Sequence, residues 1–388
     1  MKTAFRNKIA GFTLVELMIA MAVTLIILGV AVNTFRDALQ SNNAVSQSAD
    51  MTDNLRAGLN LLELDLQQAG EGIPQSGIPI PYTSNGSSTN PCGTTAPPNR
   101  PILTGTATFP QCNAVMPSVE PGQAMGPLIT APDAVAGNPS NPLSYTDEIT
   151  VLYADNTATL DGQPINKPAT TTPVASPACS GTLTLTGNTL TVTFDVTCIN
   201  LATVGTPLQP GDLIMFTNTL GSAILTATAV SGQSLTFSPG DAFNLNGRTD
   251  PSGTIKQLET SSACGGSPAC FPPTTATRIT MVSYYLDNIS SPPYIRLIRQ
   301  VNFNAPTPVG ETLENLQFTY NFVDGATNPS NQPNIPNGNS ESQIRSVNVF
   351  LGARSSYNQR QGNRLQYARN NLSTQISLRS MAYVNKYQ

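Results

Sequence analysis

From Phe12 to Phe35 the chain is almost continuous hydrocarbon, broken only by Thr13, Glu16, Thr24, Gly29 and the pair Asn33–Thr34. About 20 apolar residues suffice to cross a bilayer as a helix, so this run predicts a membrane span. Beyond it the period changes. Met51, Leu55, Leu59, Leu62, Leu66 and Ala69 recur in steps of three and four, which puts them on one stripe of a helix. Asp50, Asp53, Asn54, Arg56, Asn60, Glu63 and Gln67 fill the other side, and Gly70, Gly72 and Pro74 stop the helix. The pattern therefore predicts a long N-terminal helix, 12–72. Its first half (12–36) is greasy all round, and its second half (37–72) lays an apolar stripe onto a globular domain.

Residues 73–145 are dense in Pro, Gly, Ser, Asn and Thr and read as a long surface insertion. Alternating, β-branched runs follow at 148–155, 182–196, 212–218 and 222–230, the second folding back at Gly187-Asn188 as a hairpin. A further group at 277–288, 294–302, 313–324, 344–355 and 373–385 suits an antiparallel sheet with one face on the helix. The fold class is α+β, a helical spine and a β-rich head spanning 146–388.

Composition narrows the chemistry. The 388 residues include no His and no Trp. Ser-His-Asp and Cys-His nucleophile systems are excluded, as are imidazole zinc sites. No paired carboxylates, phosphate loop or nucleophile elbow stands out, so no enzyme is read here. The formal charge of −4 makes no general case for nucleic acid. The six cysteines all lie beyond the apolar run, which fits disulfides in an oxidising compartment. They fall into three local couples, and the expected bridges are Cys92–Cys112, Cys179–Cys198 and Cys264–Cys270.

Lys2, Arg6 and Lys8 precede the apolar run with no acid among them, which predicts a cytoplasmic N-terminus. Glu16 is the anomaly. A carboxylate in hydrocarbon costs about 2.5–3.5 kcal/mol on insertion scales and asks for a partner. A disposable signal peptide has no use for one.

The stretch "GFTLVELMIAMAV" resembles the class III leader junction of type IV pilins and the related type II secretion pseudopilins. The resemblance implies cleavage between Gly11 and Phe12 by a prepilin peptidase, removal of residues 1–11, and methylation of the new N-terminus on Phe12. It makes Glu16 the family's acidic assembly position. Paired with the Phe12 amine of a neighbouring subunit, Glu16 would satisfy two charges that are expensive alone. "NLLELDLQQAGEGIP", "YYLDN", "LIRQV", "LENLQFTY" and "ISLRSMAY" are similar to PilW-type minor pilins and the minor pseudopilins most like them. That family implies a type IV pilin-like fold and a role in pilus assembly and initiation within a tip complex. It implies partners among other minor and major pilins and an inner-membrane assembly platform. It also implies residence in the bacterial inner membrane before assembly and outside the cell afterwards. A type II secretion minor pseudopilin, or a tip adhesin or DNA-uptake subunit, are the alternatives.

Two further stretches hold candidate chemistry. Asp241, Asn244, Asn246 and Asp250 surround Gly247 and could offer oxygens to calcium. The spacing departs from an EF-hand loop, and a polar turn is the simpler reading. Arg345, Arg354, Arg360, Arg364, Arg369, Arg379 and Lys386 face only Glu341 in the last 49 residues. Such a basic stretch with Tyr357 and Tyr367 suits DNA phosphates, an acidic neighbour in a filament, or a solvated loop.

Overall fold

The computed structural model describes residues 13–81, 99–102, 105–108, 115–123, 146–156, 160, 162–167, 178–203, 207–250, 252–261, 264–287, 295–328, 339–356, 359–361 and 364–382. Helix α1 runs unbroken from Leu14 to Gln68 over 55 residues. At about 1.5 Å per residue that is roughly 80 Å of rod. No proline interrupts it. Its apolar side chains from Leu14 to Leu39 are exposed, while Met51, Leu55, Leu59, Leu62 and Leu66 are buried. Among the described residues α1 is the helix long and apolar enough to cross a membrane. The helix ends where Gly70 and Gly72 take φ of 82° and 67°. A Cβ at Gly72 would also lie 2.5 Å from the Ala154 Cβ, so the chain leaves the helix through a space that admits only hydrogen.

The strands that position the helix are, in chain order, β1 (Val119–Gln123), β2 (Asp147–Ala154), β3 (Gln163–Lys167), β4 (Thr182–Thr186), β5 (Thr189–Thr193), β6 (Leu213–Asn218), β7 (Gly221–Thr226), β8 (Ala229–Ser231), β9 (Ser234–Phe237), β10 (Thr274–Asp287), β11 (Arg296–Val301), β12 (Thr307–Glu311), β13 (Leu313–Phe322), β14 (Ile344–Arg354) and β15 (Arg369–Ser377). A short helix α2 (Arg379–Ala382) follows. The second strand group forms two sheets rather than one. In the larger, β10 pairs antiparallel with β2, β3, β6 and β11, and β12 and β7 lie outside. The smaller runs β13-β14-β15, all antiparallel. Alternate residues of both sheets meet the α1 stripe in one core. Val151, Tyr284 and Leu297 come from the larger sheet, and Leu316, Val349 and Ile376 from the smaller.

The stretch 73–145 is not wholly outside this framework. Val119–Gln123 pairs with β2 in register Val119↔Val151, and Val119 is fully buried. Its Pro121 and Gly122 disguise it in the sequence, and Pro is tolerated because β1 lies outside β2. The final strand also differs from the expected 373–385. It spans 369–377 and gives way to α2, where Met381 packs back onto the end of α1 beside Gly70.

Between β2 and β10 the chain builds a second lobe. Here β4, β5, β9 and β8 form a sheet over Leu183, Val192, Leu235 and Phe237, joined by Phe216 and Leu225 from the large sheet. The turn between β4 and β5 places Gly187 at φ 60°, as a two-residue hairpin requires. The structure joins Cys179 to Cys198 and Cys264 to Cys270, with Cα separations of 6.0 and 5.7 Å. Asp195 locks the first bridge. Its carboxylate accepts bonds from the N–H and hydroxyl of both Ser180 and Thr197, which hold its pKa far below the usual range. Cys92 and Cys112 lie outside the described residues.

The two large sheets meet at a seam held by Asp147. Its Oδ2 accepts the Phe318 backbone N–H at 2.8 Å, satisfying a donor of β13 from β2. Burial pushes this carboxyl up to about 6 from 3.8, against that hydrogen bond and with help from the Glu148 charge. The folded chain thus holds this proton more tightly than the unfolded chain. The stabilisation from protonation is complete below pH 3.8 and is lost as pH rises through about 6. Asp147→Asn keeps an acceptor for Phe318 and removes the buried charge. We expect a gain of roughly 1–3 kcal/mol at pH 7.5 over the native chain, fading to nothing at pH 3.5. Urea titrations at the two pH values read it, and an equal difference at both would contradict this account.

Candidate functional site

The N-terminal turn of α1 is built by Thr13 and Glu16. The Thr13 N–H and hydroxyl donate to Glu16 Oε2 at 3.0 and 2.9 Å, and the Glu16 N–H donates to Thr13 Oγ1 at 3.3 Å. This is a reciprocal capping box, and it leaves Glu16 Oε1 outside the cap. The spacing Thr-x-x-Glu carries that signal in the sequence, where the cost of a carboxylate in hydrocarbon overshadows it. Within one chain, then, Glu16 has a local role as well as whatever it does between subunits. Gly11 and Phe12 lie outside the described residues.

The second constellation fastens the spine to the head. Asp65 is 3% exposed on the buried stripe of α1. Its Oδ1 accepts the Tyr153 hydroxyl and its Oδ2 the Tyr284 hydroxyl, at 3.0 and 2.5 Å. Arg299 closes the set as a two-pronged donor, Nε to Oδ2 at 2.7 Å and Nη2 to Oδ1 at 3.0 Å. Burial, and then the Asp65 charge, push both tyrosines well above their ordinary range. The bonds to Asp65 hold the Arg299 proton more tightly still. The residue falls on the apolar stripe, three positions after Leu62. An acid there is the legible sign that the head supplies a cation.

The loop 241–250 uses its oxygens internally. Asp241 Oδ2 accepts the Thr226 hydroxyl at 2.7 Å and Oδ1 the Asn246 N–H at 2.9 Å. Asn246 Oδ1 accepts the Thr226 N–H, and its amide donates to the Thr226 and Ser238 carbonyls. Asp250 pairs with Arg248 at 3.0 Å, and Asn244 takes the left-handed turn at φ 56°. Among the described residues no group of three or more His, Cys, Asp or Glu is placed to hold a metal. Asp241 and Asn246 converge on Thr226 and brace the turn, while Asp250 is engaged by Arg248.

The C-terminal basic residues are dispersed. Arg369 pairs with Glu314 at 2.6 Å. Arg354 is buried under the Tyr367 ring, 4.5 Å from its centroid. Arg345 is half-buried at the start of β14, Arg379 is exposed on α2, and Arg360 and Arg364 sit on a separate short hairpin. Lys386 lies outside the described residues. Of these cations, Arg369 is engaged by a carboxylate and Arg354 by an aromatic ring.

Residues 6–32 match the family model of the prokaryotic N-terminal methylation motif. No curated protein and no solved structure matches the chain. The motif is a class III prepilin leader, and with the helix behind it supports a pilin or pseudopilin subunit, a structural component processed by prepilin peptidase. The long apolar helix followed by an antiparallel β-rich domain is the α+β type IV pilin-like architecture.

Proposed function

We propose that the chain is a minor pilin of the PilW type. In this reading it is a low-copy subunit that joins other minor pilins in a tip or priming complex of a type IV pilus. One observation carries it: the methylation motif opens a continuous helix whose first half is bare and apolar and whose second half is clamped to a head. Cleavage after Gly11 frees the Phe12 amine next to the capped turn. Glu16 Oε1, which the cap does not use, is then available to a neighbour's amine, and the pair sets the axial register of the spines. Before assembly the subunit sits in the inner membrane with its leader in the cytoplasm, as the basic leader favours.

The mature N-terminus tests this. Mass spectrometry of the chain from membranes and from sheared filaments should give an N-methylated Phe12. A chain beginning near residue 32 would have lost its spine, and the proposal with it. Recovery only in the envelope of a type II secretion strain, never in extracellular filaments, would reassign the chain as a minor pseudopilin.

A further inference from the structure

The head begins close to the apolar end of α1. On the stripe that meets the head, Ala44 and Gln47 are already half-buried, whereas Asn43, Val45, Ser46 and Ser48 around them are exposed. With Phe35 at the edge of the hydrocarbon, Ala44 stands about 14 Å above it. The headgroup layer takes up about 5–7 Å of that. The cover over α1 therefore starts within about 10 Å of the lipid headgroups.

The basic hairpin near the C-terminus leaves the smaller sheet on this side. Asn370, at the start of β15, donates its amide to Thr52 Oγ1 at 3.3 Å, and Met381, just past the end of the strand, lies beside Gly70. From Thr52 to Gly70 the helix rises about 27 Å, and from Asn370 to Leu378 the strand advances about 26 Å. Strand and helix thus run side by side in the same direction, and the chain before Asn370 lies on the membrane side. There the Ser355 N–H donates to the Ala368 carbonyl at 2.8 Å, extending the pairing of β14 with β15. Beyond it, Gln359–Gln361 pairs with Arg364–Gln366. The root is fixed where Arg354 stacks on the Tyr367 ring and Arg369 pairs with Glu314. Residues 355–368 carry Arg360 and Arg364 and no acid.

The lengths match. From Thr52 down to Phe35 is about 26 Å of helix. The chain from the Asn370 level to Ala368, and then from Ser355 to Arg360, covers up to about 23 Å. Arg360 can therefore enter the headgroup layer. We propose that this hairpin docks the head onto the bilayer from which α1 emerges, with Arg360 and Arg364 pairing with phosphates of anionic lipids. A guanidinium presents a planar fork to phosphate oxygens. Each basic residue near an anionic surface favours contact about fivefold, so the two together favour it about thirtyfold. Docking fixes the rotation of the head about α1 before assembly. Duplex DNA is the poorer match, because proteins that bind it tightly neutralise about six to ten phosphates. The inference rests on α1 crossing the bilayer, as in the reading above, and not on the pairing of Glu16.

The test uses the full-length oxidised chain in nanodiscs of phosphatidylcholine, alone or mixed with phosphatidylglycerol. Gln361→Cys carries a fluorophore, and lipids with a nitroxide on the headgroup quench it on contact. Quenching should be strong with phosphatidylglycerol, weak without it, and relieved by salt. Arg360→Gln with Arg364→Gln should lower the docked-to-free ratio about thirtyfold, whereas the paired lysine variant, which keeps both charges, should stay docked. Equal quenching in the two lipids, or in the native chain and the double-glutamine variant, would overturn the inference. A second label at Val30→Cys reports the span. Val30 buried in lipid with residue 361 in water would overturn this inference alone, and Val30 in water would remove the span and both readings with it. Duplex DNA retained by the native chain and not by the double-glutamine variant, with no effect of phosphatidylglycerol, would overturn the docking and move the hairpin to nucleic acid.

Discussion

Asp65→Ala is expected to destabilise the head by about 3–5 kcal/mol, the range for leaving a buried ionic group without its partner. The substitution strands Arg299, whose side chain is 26% exposed, and two buried tyrosine hydroxyls that have no other acceptor in the clasp. Partial exposure lets the guanidinium reach some water, so the lower half of the range is the better expectation. Against a total of about 5–15 kcal/mol for a domain, even that is a large share. Urea titration of the detergent-solubilised chain measures it directly. Asp65→Asn keeps two acceptor contacts but loses the charge, and should fall between. A change under about 0.5 kcal/mol for Asp65→Ala would mean that hydrophobic burial alone holds the spine to the head. The mechanical consequence is testable in the same variant: protease should release the head from α1 sooner than in the native chain.

Glu16→Ala should leave membrane insertion and leader cleavage intact and abolish incorporation into filaments. That substitution alone conflates two roles, because Glu16 also closes the capping box with Thr13. Loss of a cap costs about 0.5–2 kcal/mol of helix stability. Glu16→Gln separates them. Glutamine preserves the Thr-x-x-Glu/Gln cap geometry, and it cannot pair as an anion with an amine. If intersubunit charge pairing sets the register, both variants fail to assemble. If chains carrying Glu16→Gln enter filaments as well as native ones, the carboxylate serves only its own helix.

How far the sequence reached follows from the range of the interactions involved. The spacing Met51, Leu55, Leu59, Leu62, Leu66 and Ala69 dictated a buried stripe, because a period of 3.6 leaves those positions no other common side. The two-residue turn at Gly187-Asn188 was likewise visible, since a hairpin needs its glycine wherever it sits. The leader motif lies in one continuous run and needs no folding to be read.

Tertiary structure decided what depends on distant partners. Asp65 is separated by 88, 219 and 234 residues from Tyr153, Tyr284 and Arg299, and no local period couples positions so far apart. The division of the second strand group into two sheets, and the seam where Asp147 meets Phe318 from 171 residues away, rest on pairings between distant parts of the chain. Oxygens of Asp241 and Asn246 looked available until Thr226, at the end of β7, arrived to donate to both. Period and turn chemistry are properties of neighbours in the chain and survive in the unfolded sequence. Which polar groups share a site is a property of packing, and only the closed core determined it.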